Sequence, residues 1–243
     1  MKVALCLFGH FRTFDRCYDN LLNHVLMPYQ PDVFAAAWVD TMGYWQPRHV
    51  LADPFTHQGY HPQSPGVTKE YVDEVVRVLQ PRGLFFDLYT SHDPEFQELA
   101  NQLEQYHDKQ RDPDLAPKSC LAMNWLRARS IELKKQYETQ SNTRYDQVIV
   151  TRWDINHSLP IDLSRFDPNL ITFEKGGGDH PGDTWAVGPS HLLDVWGDQF
   201  NGMQELIDNG TMSLSPHDWQ TAWFDHKKVP WVNRTDIGTH FIR

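Results

Sequence analysis

The chain opens with Val3 to Phe8, an unbroken apolar run that stops at Gly9. A strand that is apolar at every position, not every second one, is covered on both faces, as in the parallel sheets of α/β proteins. From Asp15 to Met27 the apolar positions Cys17, Leu21, Leu22, Val25 and Leu26 fall at helical spacing, and Pro28 ends the segment. Asp32 to Val39 is a second apolar run of strand length. Strand, helix, strand in that order predicts a right-handed βαβ unit with parallel strands.

Residues 41–67 interrupt the pattern: Pro47, Pro54, Pro62 and Pro65 stand among His, Gly and aromatic residues, and read as a long irregular surface segment. Thr68 to Gln80 then sets Val72, Val75, Val76 and Leu79 on one helical face, and Gly83 to Tyr89 reads as a strand. Asp93 as N-cap with Pro94 at the first helical position predicts a helix that buries Phe96, Leu99, Ala100, Leu103 and Tyr106. After a polar link over 109–117, a long helix from Ser119 to about Tyr137 buries Ala122, Trp125, Leu126, Leu133 and the stem of Arg129.

Tyr145 to Val150 is a buried strand that runs directly into Thr151, Arg152, Trp153, Asp154 and Ile155. Beyond it come a strand over Leu170 to Phe173, a glycine-rich loop over 176–183 and a strand over Thr184 to Gly188. One amphipathic helix is expected from Ser190 to Asp208, capped by Asn209-Gly210. Ser215-Pro216 opens a last helix, and the tail from Val229 reads as extended. The expected fold is an α/β, single-domain, three-layer αβα sandwich around a mostly parallel, Rossmann-like sheet.

Charge narrows the function classes. With 22 Lys and Arg against 32 Asp and Glu, the chain carries a net charge of -10 over 243 residues. That argues against gripping nucleic acid or an anionic membrane by bulk electrostatics, and leaves room for a local basic pocket. No apolar stretch approaches the roughly 20 residues of a membrane span, and the short apolar start runs at once into Arg12, Asp15 and Arg16, unlike a signal peptide. Cys6, Cys17 and Cys120 form no CxxC pair and suit a reducing compartment, so a cytoplasmic location is expected.

Three places could carry chemistry. The turn Phe8-Gly9-His10-Phe11-Arg12-Thr13 follows the first strand, where a Gly admits close backbone approach and an Arg can pair with phosphate oxygens; an ordinary tight turn fits as well. It is neither a Walker loop nor a dinucleotide fingerprint. Arg152 and Asp154 lie two apart at a strand end and so on one side of the chain, as a phosphate and metal site or as a structural ion pair. Asp179, His180, Asp183, His217 and Asp218 supply carboxylates and imidazoles, any of the carboxylates a candidate general base. Trp153 and Trp185 could be platforms for a base or sugar, or core residues.

The segments Ala-Leu-Cys-Leu-Phe-Gly-His-Phe-Arg-Thr-Phe, Tyr-Gln-Pro-Asp-Val-Phe-Ala-Ala-Ala-Trp and Tyr-Asp-Gln-Val-Ile-Val-Thr-Arg-Trp-Asp-Ile, with the later Gly-Asp-Thr-Trp-Ala-Val-Gly-Pro-Ser, resemble glycosyltransferases of GT-A type found in bacterial polysaccharide loci and in large viruses and phages. The resemblance implies a nucleotide-sugar donor, with Gly9, His10, Arg12, Trp153 and Asp154 on the donor side. It implies a glycan acceptor, a nucleotide-binding half over about 1–155 and an acceptor-side half over about 156–243. The Asp-X-Asp of that group, which binds Mn²⁺ or Mg²⁺, here reads Arg152-Trp153-Asp154. Either Asp154 keeps a metal with help from His217, Asp218 or His240, or Arg152 does part of the metal's work on the diphosphate. Asp183 is then the candidate base and Arg152 the catalytic cation. Two other readings of the same chain are a non-catalytic nucleotide- or glycan-binding protein and a sulfotransferase-like enzyme.

Overall fold

A computed structural model describes residues 1–11, 14–39, 68–107, 117–174 and 179–241. The predicted irregular segment 41–67, Arg12, most of the 109–117 link, Gly176 to Gly178 and the side chain of His240 lie outside the described residues.

The apolar run becomes β1 (Val3–His10), buried along its whole length. Helix α1 (Phe14–Leu21) continues through one π turn, Leu22–Leu26, into the short α2 (Met27–Tyr29). Pro28 therefore ends nothing: it sits in the first turn of a restarted helix, where its missing N–H goes unused, and Gln30 at φ +44° makes the stop. The next strand, β2 (Asp32–Trp38), lies parallel to β1, as the βαβ reading requires. Thr68 caps α3 (Lys69–Leu79) by accepting from the Tyr71 N–H, and β3 (Gly83–Asp87) follows, parallel to β2.

Helix α4 (Tyr89–Gln102) starts four residues before the expected Asp93 cap and takes Pro94 into its interior. Tyr89 is buried, with its ring 5.6 Å from Trp38 and 6.1 Å from Phe96, and this packing holds the added turn. Asp93 instead pairs with Lys118 at 2.7 Å. The long helix is α5 (Pro117–Ser141), and it leads to β4 (Gln147–Arg152), parallel to β1 on the side away from β2. The buried arginine of α5 is Arg127, not Arg129, which stacks over the Trp125 ring at 5.0 Å.

After the two-stranded ribbon of β5 (Ile155–His157) with β9 (Thr239–Phe241), the sheet gains β6 (Ile171–Glu174), β7 (Trp185–Gly188) and β8 (Trp231–Arg234). The helix expected from Ser190 to Asp208 is two, α6 (Ser190–Gly197) and α7 (Met203–Asp208). The break runs from Gly197 to Gly202, and a Cβ on Gly202 would stand 2.0 Å from the Trp223 ring, so only glycine lets the last helix, α8 (Pro216–Lys227), come this close. Gly210 at φ +67° closes α7, as the Asn-Gly pair predicts.

The sheet has seven strands in the order β3-β2-β1-β4-β7-β6-β8. Only β7 runs against its neighbours; the other pairings are parallel. Successive residues of β1 feed two cores. Ala4, Cys6 and Phe8 face α4, α5 and the helices around α8, while Val3, Leu5 and Leu7 face α1 and α3. Helices thus cover both faces of a mostly parallel α/β sheet. Among the described residues no helix is long and apolar enough to cross a membrane. At the edge where β7 ends and α6 begins, Lys134 is fully buried among Glu138 at 3.0 Å, Asp194 at 2.5 Å and Ser190.

Candidate functional site

Strand order locates the site. From β1 the chain passes outward to β2 and β3, then returns to β4 on the opposite flank of β1. The reversal makes the carboxyl ends of β1 and β4 a topological switch point, the position where open α/β sheets bind ligands. Phe8 of β1 is in register with Arg152 of β4, so Gly9 and His10 stand beside Arg152, Trp153 and Asp154. The register brings together five of the residues singled out in sequence.

Gly9 has φ +108°, a conformation that side chains rarely take. A Cβ there would still meet only ordinary contacts, at 3.9 Å from Arg152 Cγ and 4.0 Å from Trp153 Cδ1. The glycine is therefore needed for backbone conformation, not for room. His10 closes β1 and is 9% exposed.

Arg152 and Asp154 form a two-pronged ion pair. Nε donates to Oδ1 at 2.8 Å and Nη2 donates to Oδ2 at 2.7 Å, in the planar fork geometry that makes such pairs strong. Their side chains are only 17% and 7% exposed. Removing both charges from water is costly, which makes a pair at this edge a feature to explain by what it faces. Trp153, between them, points the other way and is 1% exposed. Its Nε1 donates to the Ala36 carbonyl at 3.1 Å, and its ring packs 4.5 Å from Phe11 and 5.2 Å from Phe14. Trp153 is packed beneath the strand ends, with no face left for a base or sugar; Trp185, at 0% exposed, is packed likewise.

The antiparallel β7 brings the segment before it to the same edge, and the Arg152 N–H donates to the Thr184 carbonyl at 3.2 Å. Gly182 is fixed by close approach, since a Cβ would lie 2.5 Å from the Glu174 carbonyl oxygen. Residues 180–182 are then held by side chains from α8 and β8. His217 Nδ1 donates to the Pro181 carbonyl at 3.2 Å, Gln220 Nε2 to Gly182 at 2.9 Å, and Asn233 Nδ2 to His180 at 2.7 Å. The His180 ring lies 3.6 Å from Asp218 Oδ1. His217 and Asp218 thus serve the loop that presents Asp183.

Sequence reasoning missed Arg127. Its guanidinium is buried above the Trp196 ring at 4.3 Å, with Nη2 donating to Asn124 and, at 2.6 Å, to Gln199 Oε1. Burial pushes it down to about 9, while the negative charge of the nearby Asp183 works in the opposite direction on the guanidinium. A visible sign was the spacing of Asn124, Arg127, Ser130 and Lys134 along one side of a buried helix, where apolar residues were expected.

The implied Mn²⁺ or Mg²⁺ meets a donor set that does not suit it. Both Asp154 oxygens lie on the Arg152 guanidinium, so a divalent ion there would take the carboxylate from a cation and then stand against that cation. His217 and Asp218 are directed at Pro181 and His180. Among the described residues no three His, Cys, Asp or Glu side chains converge as a metal cluster.

No protein-family model matches the chain, and no curated protein matches it.

Proposed function

We propose that the chain is a GT-A type glycosyltransferase that moves a sugar from a nucleoside diphosphate to a hydroxyl of a glycan. The observation that carries this reading is the Arg152–Asp154 fork at the carboxyl end of β4, beside the Gly9 turn of β1. An overall charge of -10 repels an anionic donor, so its affinity has to come from cations focused in a cleft. Arg152 sits at the strand ends where the sheet order reverses.

The hard step is departure of the diphosphate. A preorganised guanidinium aimed at the charge that develops on it lowers the barrier without reorganisation. Asp154, gripping two edges of that guanidinium, positions Arg152 and does not act as a metal ligand. Asp183, on the segment clamped by His217 and Gln220, deprotonates the acceptor hydroxyl if the reaction inverts.

The test is release of nucleoside diphosphate from a panel of nucleotide sugars. Arg152→Ala and Asp154→Ala abolish turnover while far-UV circular dichroism stays native; turnover surviving in both variants overturns the reading. Rates unchanged by EDTA are expected, and a rate lost to EDTA and restored by Mn²⁺ would return Asp154 to a metal site.

A further inference from the structure

Resting on that reading, we infer that Asn233, His217 and Gln220 are positioning residues, which together set the place of Asp183 for the acceptor step. Three successive backbone carbonyls each accept a hydrogen bond from a separate side chain. Asn233 Nδ2 donates to His180 at 2.7 Å, His217 Nδ1 to Pro181 at 3.2 Å and Gln220 Nε2 to Gly182 at 2.9 Å. The donors stand 36 to 53 residues further along the chain, on α8 and β8. His217 and Gln220 are three apart and so share one side of α8.

A turn that only joins two strands can leave its carbonyls to water. Here Gln220 is fully buried, while His217 and Asn233 are half-buried, and each gives up side-chain freedom to hold one carbonyl. The rest of the segment is fixed as firmly. Gly182 has no room to move toward Glu174, Thr184 accepts from the Arg152 N–H at 3.2 Å, and Trp185 beyond it is fully buried in β7.

Asp183, half-buried, thus leaves a backbone that is held on both sides of it. The hold runs from Arg152 through Thr184, Asp183 and Gly182 to α8 and β8, and so sets the spacing between the candidate base and the candidate cation. A displacement of about 1 Å at a reacting group can slow a reaction about a hundredfold, so loosening this hold acts on turnover and spares donor affinity.

The experiment uses the full chain and follows diphosphate release from UDP-glucose, UDP-galactose and GDP-mannose with water as the acceptor, each variant first checked for a native circular dichroism spectrum. Asn233→Asp keeps the shape of the side chain but sets a carboxylate oxygen against the His180 carbonyl. That variant and His217→Ala each lower kcat about ten- to a hundredfold, while donor KM and the affinity for UDP or GDP stay within about twofold. His217→Asn, which keeps an N–H donor near the place of Nδ1, recovers part of the loss. Azide needs no base: its terminal nitrogen bonds to the anomeric carbon as the bond to the diphosphate oxygen breaks, the electron pair leaves with the diphosphate, and no proton is removed. Added azide therefore speeds release more in Asn233→Asp and His217→Ala than in the wild type. An active wild type whose variants keep its kcat, lose donor affinity in step with kcat, or gain nothing from azide overturns the positioning role and leaves the transferase reading standing. No release from any of the three donors by the wild type overturns that reading and the positioning role with it.

Discussion

Trp153→Phe separates packing from ligand contact in the residue between Arg152 and Asp154. The indole is 1% exposed, donates to Ala36 in β2, and fills the space between Phe11 and Phe14 under the β1 turn. Phenylalanine keeps a six-membered ring and loses the N–H, which leaves a buried carbonyl short of a donor at roughly 1–3 kcal/mol. Shrinking the side chain adds part of the roughly 3–5 kcal/mol that removing a whole buried tryptophan costs. A total loss of about 2–4 kcal/mol follows, a large fraction of the stability of an ordinary domain. Urea unfolding should show it as a lower midpoint with unchanged slope. Nucleoside diphosphate affinity, measured where the variant is still folded, should stay within about twofold. A stable variant with affinity reduced about tenfold would refute the packing role and make Trp153 a platform.

Other outcomes follow from the same physics. Gly9→Ala should cost roughly 1–3 kcal/mol in urea unfolding, entirely from its backbone angle, since the contacts around it leave space for a methyl group. Lys134→Met leaves Glu138 and Asp194 without their buried cation and should cost about 3–5 kcal/mol, whereas adding Glu138→Leu should recover much of it; equal costs in the single and double variants would contradict the buried pair. Burial lowers the pKa of His92, but hydrogen bonds to Asp87 and Glu95 outweigh it and leave the pKa raised above 6.5. A pKa raised by folding stabilises below the unfolded value and is lost as pH rises through the folded one. The stability gap between wild type and His92→Gln should therefore be largest below about pH 6.5 and close at alkaline pH; a gap that grows with pH would contradict it.

The strands that build the site were legible because each is buried on both faces. A run such as Val3 to Phe8 or Val148 to Val150 has no polar position to misread, and each is followed within a few residues by the polar groups at its carboxyl end. Arg152 and Asp154 were found on that ground, two apart at the end of β4. Trp153 was ambiguous because an indole at a strand end suits a platform and a core equally, and only the register with Phe8 directs it inward. The break between α6 and α7 was hidden for a related reason. The apolar spacing runs on across 198–202, while Gly197 and Gly202 flank the break and the Trp223 ring from α8 leaves no room for a side chain at Gly202. Arg127 escaped because α5 packs against strands on one side and α4 and α6 on others, so its buried surface is wider than one apolar stripe. The early start of α4 reflects an aromatic contact with Trp38, which outweighed an otherwise good cap at Asp93.

Calorimetric titration of UDP, GDP and ADP into the wild-type chain and into Arg152→Ala, each first checked for a native circular dichroism spectrum, tests the proposed donor site at the ends of β1 and β4 most directly. At least one nucleoside diphosphate should bind the wild type, with affinity falling about tenfold or more in Arg152→Ala, the scale of one lost charge-assisted fork. Absence of binding by all three, or equal affinity in both proteins, would contradict an anionic donor held at Arg152.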